Sequence, residues 1–461
     1  ALPRRLRCQA GVVSPPLPDP LLAFEAGDRV YIPYTDRLGA WGKAQSAASG
    51  VWNAWRRMAG VDRSIGLDVG QGVRTDVLAR LAGVATSPPP IAHSVKSMGT
   101  GSLSYPLTVT TDLARFLGLF LAEGENPESR QVRFVNSDRA VSAEFARLAR
   151  SLFGLELNTW AYEHSDAVRQ YVSSHAMGRL LERLFHCAVG SRSAAKEVPP
   201  QIFSASEEIK WAFLSGLFEG DAYISVRPSH GRTAGTQAYI EYVTASEELA
   251  RQVVSLLLRL GVFGTIRRLE KCATNTVKKT KRPYWSVFVY GIWQLHRMAD
   301  GLSFVGEKQR ALEALRELDQ EINPNLDVIP GVTPLVKEAV KLAGVSYKRH
   351  RRGRAKLAAY TEGRCEVTRP GLHEVAYQIE QLGRHPRAAR KKIDHLLKLS
   401  ASDIYWDEVV GVEEIEPGDE WVYDLSIEGA HNFVAENVIV HNSNIAEAVK
   451  WALAETNARH L

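Results

Sequence analysis

Cysteine is scarce in this chain. The four present among 461 residues (Cys8, Cys187, Cys272 and Cys365) stand far apart, with no CxxC pair. A zinc knuckle or a disulfide framework is therefore not expected, and reduced intracellular thiols fit better. No apolar run reaches the roughly 20 residues needed to cross a bilayer, so no membrane role is expected. The first residues, ALPRRLRCQA, show neither an initiating Met nor a signal-peptide pattern, and NARHL ends as abruptly; both ends are expected to be truncations. Charge of one sign is also lacking. Lys and Arg number 57 against 52 Asp and Glu, a net +5 that permits nucleic-acid binding without demanding it. What remains is an ordinary apolar content of 45%, enough for sizeable cores in about three domains.

Residues 1–110 are broken by proline-rich patches, and only GDRVYIPY (27–34) reads as a strand. From 111 the pattern sharpens. TDLARFLGLFLAEG is a helix with an almost wholly apolar second half, which must be buried on several sides. A strand (RQVRFVNS), an amphipathic helix ended by Gly154, a hairpin-like pair (ELNTWAYE, VRQYVSS) and a helix (175–185) follow. The order then recurs in EEIKWAFLSGLFEGDA, YISVRP, AYIEYVT, SEELARQVVSLLLRLG, GTIRRLEK, YWSVFVYG and IWQLHRMAD. A duplication of this size speaks to the fold more strongly than any single element. Residues 330–400 read as helical and basic, with runs KRHRRGRAK and RHPRAARKK. Short β-type runs fill 404–442.

Two of these helices end in an acid, Glu123 in FLGLFLAEG and Asp221 in LSGLFEGDA, each with a glycine five residues earlier (Gly118, Gly216). Small residues let helices approach closely, and packed helices would bring the two carboxylates together. Two such groups repel unless a cation lies between them. Mg²⁺ or another hard divalent ion suits oxygen ligands, and an ion so held can drive phosphodiester hydrolysis. Glu123 and Asp221 are thus candidate metal ligands and catalytic acids.

These segments resemble the signature helices of the LAGLIDADG (DOD-type) homing endonucleases, over residues 111–300. The resemblance implies an α+β fold: a pseudo-two-fold αββαββα pair (111–190 and 205–300) whose sheets form a saddle on double-stranded DNA, acting as a monomer. It nominates Lys196, in AKEVPPQIF, as a catalytic lysine. One position departs from the pattern: Ala222 stands where the family usually has Gly, an arrangement that strains the site if positive φ is required. Arg227, Arg267, Arg268 and Lys271 fall on or near strands of the second repeat, and Lys278, Lys279, Lys281 and Arg282 on a hairpin tip. With Arg351 and Arg352 of the basic helical region, they are candidates for contact with phosphates or bases.

The stretch VYDLSIEGAHNFVAENVIVHNS suits cleavage at Asn. The Asn442 amide can attack its own carbonyl and form a succinimide. His441 and His431 can supply acid–base assistance, and Ser443 is a hydroxyl nucleophile for acyl transfer. The segment resembles the C-terminal splicing motifs of inteins. That resemblance makes Asn442 the cyclising residue, His441 its assistant, His431 the second motif histidine, Asp424 the acidic tuning position and Ser443 the first downstream residue. The N-terminal splicing motifs are not found, so the chain as written is not expected to splice. SNIAEAVKWALAETNARHL resembles the residues after the Walker A lysine of SMC chromosome proteins, an ATP- and Mg²⁺-binding host in the cytoplasm at the nucleoid.

The expected order is a remnant of the N-terminal Hint half (1–35), an irregular linker (36–110) and the endonuclease (111–300). A small basic DNA-contacting helical subdomain (301–403), an all-β C-terminal Hint region (404–442) and the start of the SMC extein (443–461) follow. The leading reading is an intein-encoded nuclease that cuts the intein-free host gene. The alternatives are an intein whose nuclease has decayed, or a fragment of the host ATPase.

Overall fold

The computed structural model describes residues 102–407 except 128–130, 164, 188–189, 191–192, 230–234, 273–280, 320–326, 347–354, 385 and 403. It also describes 2–3, 14–17, 23–25, 28, 30–32, 41, 44, 67–68, 72–74, 78, 94–97, 427, 432–435 and 438–441. Residues 7–322 form one compact unit, and 1–6 with 323–461 form a second.

In the first unit, helix α1 (Thr111–Glu123) starts where the Thr110 hydroxyl accepts a hydrogen bond from Leu113 N, a side-chain N-cap. Every residue from Leu113 to Ala122 is buried, the apolar run 116–122 against its neighbours and Arg115 through ion pairs with Glu144 and Glu219. Strands β1 (Gly124–Glu125) and β2 (Gln131–Asn136), helix α2 (Arg139–Phe153), strands β3 (Asn158–Ala161) and β4 (Val168–Ser173), and helix α3 (His175–Arg183) follow. Gly154 ends α2 at φ 67°, the left-handed cap that glycine adopts without cost. The second repeat runs α4 (Glu207–Asp221), β5 (Ala222–Ser229), β6 (Gly235–Thr244), α5 (Glu247–Arg259), β7 (Thr265–Cys272), β8 (Lys281–Tyr290) and α6 (Ile292–Gly301).

The two antiparallel sheets have the same order, β1-β2-β4-β3 and β5-β6-β8-β7. The fold is α+β, and this recurrence is the pseudo-two-fold αββαββα arrangement. Alternate strand residues face the helices. In the first repeat Phe134 of β2 stacks on Phe145 of α2 at 4.1 Å, and Phe145 on Phe116 of α1 at 4.8 Å. In the second, Phe218 of α4 stacks on Tyr242 of β6 at 5.2 Å.

Two expected boundaries differ. Helix α7 (Lys308–Arg316) belongs to this unit and not to the helical subdomain, because Leu312 and Leu315 complete the same core as Leu302 and Phe304. Within the stretch read as an irregular linker, Leu67–Asp68, Gly72–Arg74, Ser94–Ser97 and Ser102–Ser104 form a five-stranded sheet with Val30–Ile32. Its Val30, Val95 and Leu103 join the core of the first unit. Asp28 anchors this layer to α3, accepting from Arg179 Nε at 3.0 Å and Arg183 Nη1 at 3.1 Å, with His175 Nε2 at 2.9 Å. The sequence missed this because its strands are two to four residues long, and the two local pairs are joined only through the distant Val30–Ile32.

The second unit has its own core. Helices α8 (Thr333–Ala343), α9 (Ala355–Glu362), α10 (Arg369–Leu382) and α11 (Arg387–Ala401) enclose Val336, Leu357, Leu372, Ile379 and Leu396. A buried ion pair, Arg369 Nε to Asp327 at 2.9 Å, ties its ends together, while Arg369 Nη1 donates to Leu399 O and Ser402 O. Leu2–Pro3 pair with Ile404–Tyr405, and Asn432–Ala435 form a hairpin with Val438–His441.

Candidate active site and nucleic-acid-facing surface

The site begins with two glycines. A Cβ on Gly118 would stand 2.2 Å from Phe213 O and 2.8 Å from Leu217 N; one on Gly216 would stand 2.4 Å from Arg115 O. Helices α1 and α4 therefore touch backbone to backbone, which only glycine permits. Their C-terminal ends come together as a result. A Cβ on Gly220 would meet Glu123 Cγ at 3.0 Å and Glu123 Oε1 at 3.5 Å, so the Glu123 carboxylate lies against the residue preceding Asp221.

The electrostatics match this placement. Asp221 is reached by solvent yet ringed by protein. Its carboxyl is pushed up to about 7, by desolvation first and then by the Glu123 charge, against the pull of Lys196 and Lys308. Glu123, half-buried, is raised by desolvation against the same two lysines. The Glu123–Asp221 repulsion expected of juxtaposed helix ends is present.

Lys196 Nζ donates to Ala122 O at 3.0 Å, closing the end of α1. Sequence reasoning missed its counterpart. Lys308, at the start of α7, donates to Phe218 O at 3.1 Å, Glu219 O at 2.7 Å and Gly220 O at 2.9 Å, closing the end of α4. Each lysine sits at the negative end of a helix dipole, where a cation is favoured. Burial holds the Lys308 ammonium below its ordinary range despite Asp221, Glu219 and Glu123 nearby. The available signal was position: both lysines lie near the end of a repeat. Glu219, buried between the repeats, fixes the loop that presents Lys308. It accepts from Val305 N at 2.9 Å and Gly306 N at 2.7 Å and pairs with Arg115 of α1.

The strain anticipated at Ala222 is absent. Its φ is −92° and ψ 151°, extended backbone open to any residue. The equivalent Gly124 has φ −86° and is needed for room instead, since a Cβ there would stand 2.2 Å from Phe120 Cδ2.

No helix among the described residues is long and apolar enough to cross a membrane. Nor do they contain a cluster of three or more His, Cys, Asp or Glu able to hold a metal. Among the described residues, the helix ends offer a cation the carboxylates of Glu123 and Asp221, oxygen donors that fit a hard divalent ion completing its sphere with water.

Strand register sorts the basic candidates. Tyr223, Arg227, Tyr239, Arg267, Lys271, Arg282, Phe288 and Tyr290 fall on the sheet face opposite the helices, because their partners alternate with the buried Ile240, Tyr242, Val287 and Val289. Arg268 and Lys281 have the other parity: Arg268 pairs with Trp285, and Ile266 beside it with buried Val287. They leave the open face, a correction that a one-residue shift in strand phase produces. Lys278, Lys279, Arg351, Arg352, Asp424, His431, Asn442 and Ser443 lie outside the described residues, as does the side chain of His441, whose backbone pairs with Asn432.

The first sheet supplies residues the sequence did not nominate. Arg169 lies over Trp160 at 5.1 Å and Tyr162 at 5.2 Å, and its buried Nε has no hydrogen-bond partner among the described residues. Arg133 stands two register positions away on the same face, opposite Tyr171. In the second sheet Arg267 lies over Phe288 at 4.9 Å and Arg227 over Tyr223 at 6.0 Å. Stacking of this kind holds a guanidinium in a fixed orientation.

Among curated proteins, the chain is 30% identical over 357 residues to the replicative DNA helicase DnaB of Rhodothermus marinus, covering 74% of this chain and 35% of that protein. It is 28% identical over 343 residues to the DnaB helicase of a Synechocystis strain, with 71% and 36% covered. Against the glutamine–fructose-6-phosphate aminotransferase of Methanocaldococcus jannaschii it is 23% identical over 356 residues, with 77% and 28% covered. The chain spans about a third of the length of the curated relatives it matches. Among solved structures it is similar to the I-LtrWI LAGLIDADG homing endonuclease bound to target DNA, at 12% identity and a TM-score of 0.30, covering 45% of this chain and 89% of that one. It is also similar to full-length DUF199/WhiA from Thermatoga maritima, at 13% identity and a TM-score of 0.28, with 65% and 93% covered. The family model described as the intein splicing domain matches residues 61–442, most of the chain. The chain belongs to the intein splicing domain family.

Proposed function

We propose that this intein carries a site-specific DNA endonuclease that cuts both strands of the intein-free host gene. The observation that carries the reading is the pair of helix ends joined at Gly118 and Gly216, which place Glu123 and Asp221 side by side between two lysines. A divalent cation, Mg²⁺ or similar, would be held by Glu123 and Asp221 and would stabilise charge on the phosphodiester and activate water. Lys196 and Lys308 hold positive charge beside the reacting phosphate. The lowered Lys308 ammonium gives up a proton more readily than an ordinary lysine, so it suits protonation of the leaving oxygen. Arg133, Arg169, Arg227, Arg267, Lys271 and Arg282 grip double-stranded DNA across the open sheet faces. The nuclease acts as a monomer, since one chain supplies both acids.

For splicing, Asn442 cyclises with help from His441, His431 and Asp424, and Ser443 is the acceptor hydroxyl for the acyl group that an N-terminal splicing half supplies. The relatives carry unrelated names yet share a stretch of similar length with this chain, the pattern an inserted element leaves. The host proposed here is an SMC chromosome ATPase in the cytoplasm at the nucleoid. Its support is SNIAEAVKWALAETNARHL, which fits the helix after a Walker A lysine.

The test incubates the purified chain with Mg²⁺ and a plasmid bearing the uninterrupted SMC junction. Linearisation at one site, lost in Glu123→Gln and in Asp221→Asn, supports the reading. No cutting by the parent chain of that plasmid, or of one bearing the DnaB junction, sinks the nuclease and leaves a splicing element with a decayed insert. Cutting of the DnaB junction alone sinks the SMC host.

A further inference from the structure

We infer that helix α11 of the second unit is a phosphate-gripping helix, through which this unit holds duplex DNA apart from the sheet faces. The inference rests on the reading that the chain acts on DNA.

Ala389, Ile393, Leu396 and Ser400 turn one side of α11 into the core. Arg387, Arg390, Lys391, His395 and Lys398 are exposed. Their spacing puts Arg387, Lys391, His395 and Lys398 along one stripe, with Arg390 flanking it. Lys392 is already paired with Glu338 at 2.8 Å. Arg387, Arg390, Lys391 and Lys398 have no acidic partner among the described residues. Asp394 is the one acid on the helix. From Arg387 to Lys398 the axis rises about 16 Å, while a duplex presents one phosphate charge per roughly 1.7 Å of axis.

The helix start breaks a local rule. Pro386 gives no side-chain cap, the first turn has no Asp or Glu, and two cations, Arg387 and Arg390, stand at the positive end of the dipole. A bound polyanion would relieve that repulsion and satisfy the free N–H groups. The neighbouring α10 is different: Thr368 caps it, and it carries Glu374 and Glu380.

The test measures binding of the whole chain by anisotropy, from 50 to 200 mM salt, to a labelled duplex bearing the host junction and to an unrelated duplex. The variant is Arg387→Ala with Arg390→Ala, Lys391→Ala and Lys398→Ala; its charge-conserving control is Arg387→Lys with Arg390→Lys. The expected result is a loss on the order of a hundredfold for both duplexes, with the logarithmic salt slope smaller by about 3 to 4. Cutting at saturating duplex should be unchanged, and the control should retain parent affinity. An unchanged slope in the quadruple variant overturns the inference while the nuclease reading stands. An equal loss in the control also overturns it, as does loss of binding to anionic lipid vesicles with DNA affinity intact. A parent chain that binds neither duplex overturns both.

Discussion

Asp221 bears the main electrostatic cost of the site. Its carboxyl, pushed up to about 7 by desolvation and then by Glu123, is disfavoured as an anion in the metal-free protein. Asp221→Asn should therefore abolish cutting and yet raise metal-free stability, by about 1 kcal/mol once solvent screening is allowed for. The gain should be largest above pH 7, where the parent residue is charged. Thermal melts in EDTA at pH 5.5 and 8 measure it, and a variant less stable at both would contradict the cause given. Asp28 behaves oppositely. Burial would raise it, but hydrogen bonds from Glu25 N and His175 and the charges of Arg179 and Arg183 hold it below 3.8. Because its folded value is depressed, its contribution is full above the unfolded value and is lost as pH falls through the folded one. Stability should decline below about pH 4. Asp28→Asn should flatten that decline and cost about 2 kcal/mol at pH 7, as read by urea unfolding at each pH.

At the scale of elements, helix contact and strand phase decide most of the site. Gly118→Ala would drive a methyl into Phe213 O, backbone that cannot rotate aside. It should cost about 3 kcal/mol or more and depress cutting even where the protein stays folded, because the acids at the helix tips part. Denaturant unfolding with single-turnover cleavage checks both; full activity would mean that close approach is not what sets the site. Strand phase separates neighbours in sequence. Arg267→Ala should weaken duplex binding about tenfold, on the scale of one good contact, whereas Arg268→Ala should leave it nearly unchanged. Equal effects in a binding titration would contradict the parity. The duplicated element order was legible from periodicity and turn residues. The aromatic clamp on Arg169 was not, since Trp160, Tyr162 and Arg169 meet only across a hairpin.

For the molecule as a whole, two separate cores mean two separately breakable bodies. Leu372→Ala removes a fully buried side chain from the helical core and should cost about 2 to 5 kcal/mol there. Hydrogen exchange should rise across 327–402 and stay low in α1 and α4. Loss of protection in both would show one cooperative fold instead. The unit boundary lay beyond the reach of composition: α7 is as basic and amphipathic as the helices after it, and only packing of Leu312 and Leu315 assigns it to the first unit.

Period and local chemistry, written in the chain itself, determined the α+β duplication and the placing of Glu123 and Asp221 at matching helix ends. These are short-range regularities, and a reader needs no coordinates to see them. Tertiary structure alone decided that Lys308 stands beside the acids, that Ala222 is unstrained, that Arg268 turns away from the open face, and that residues before 110 build a sheet onto the first repeat. Each of these depends on which distant backbone or strand register a residue meets, a quantity that sequence spacing does not carry.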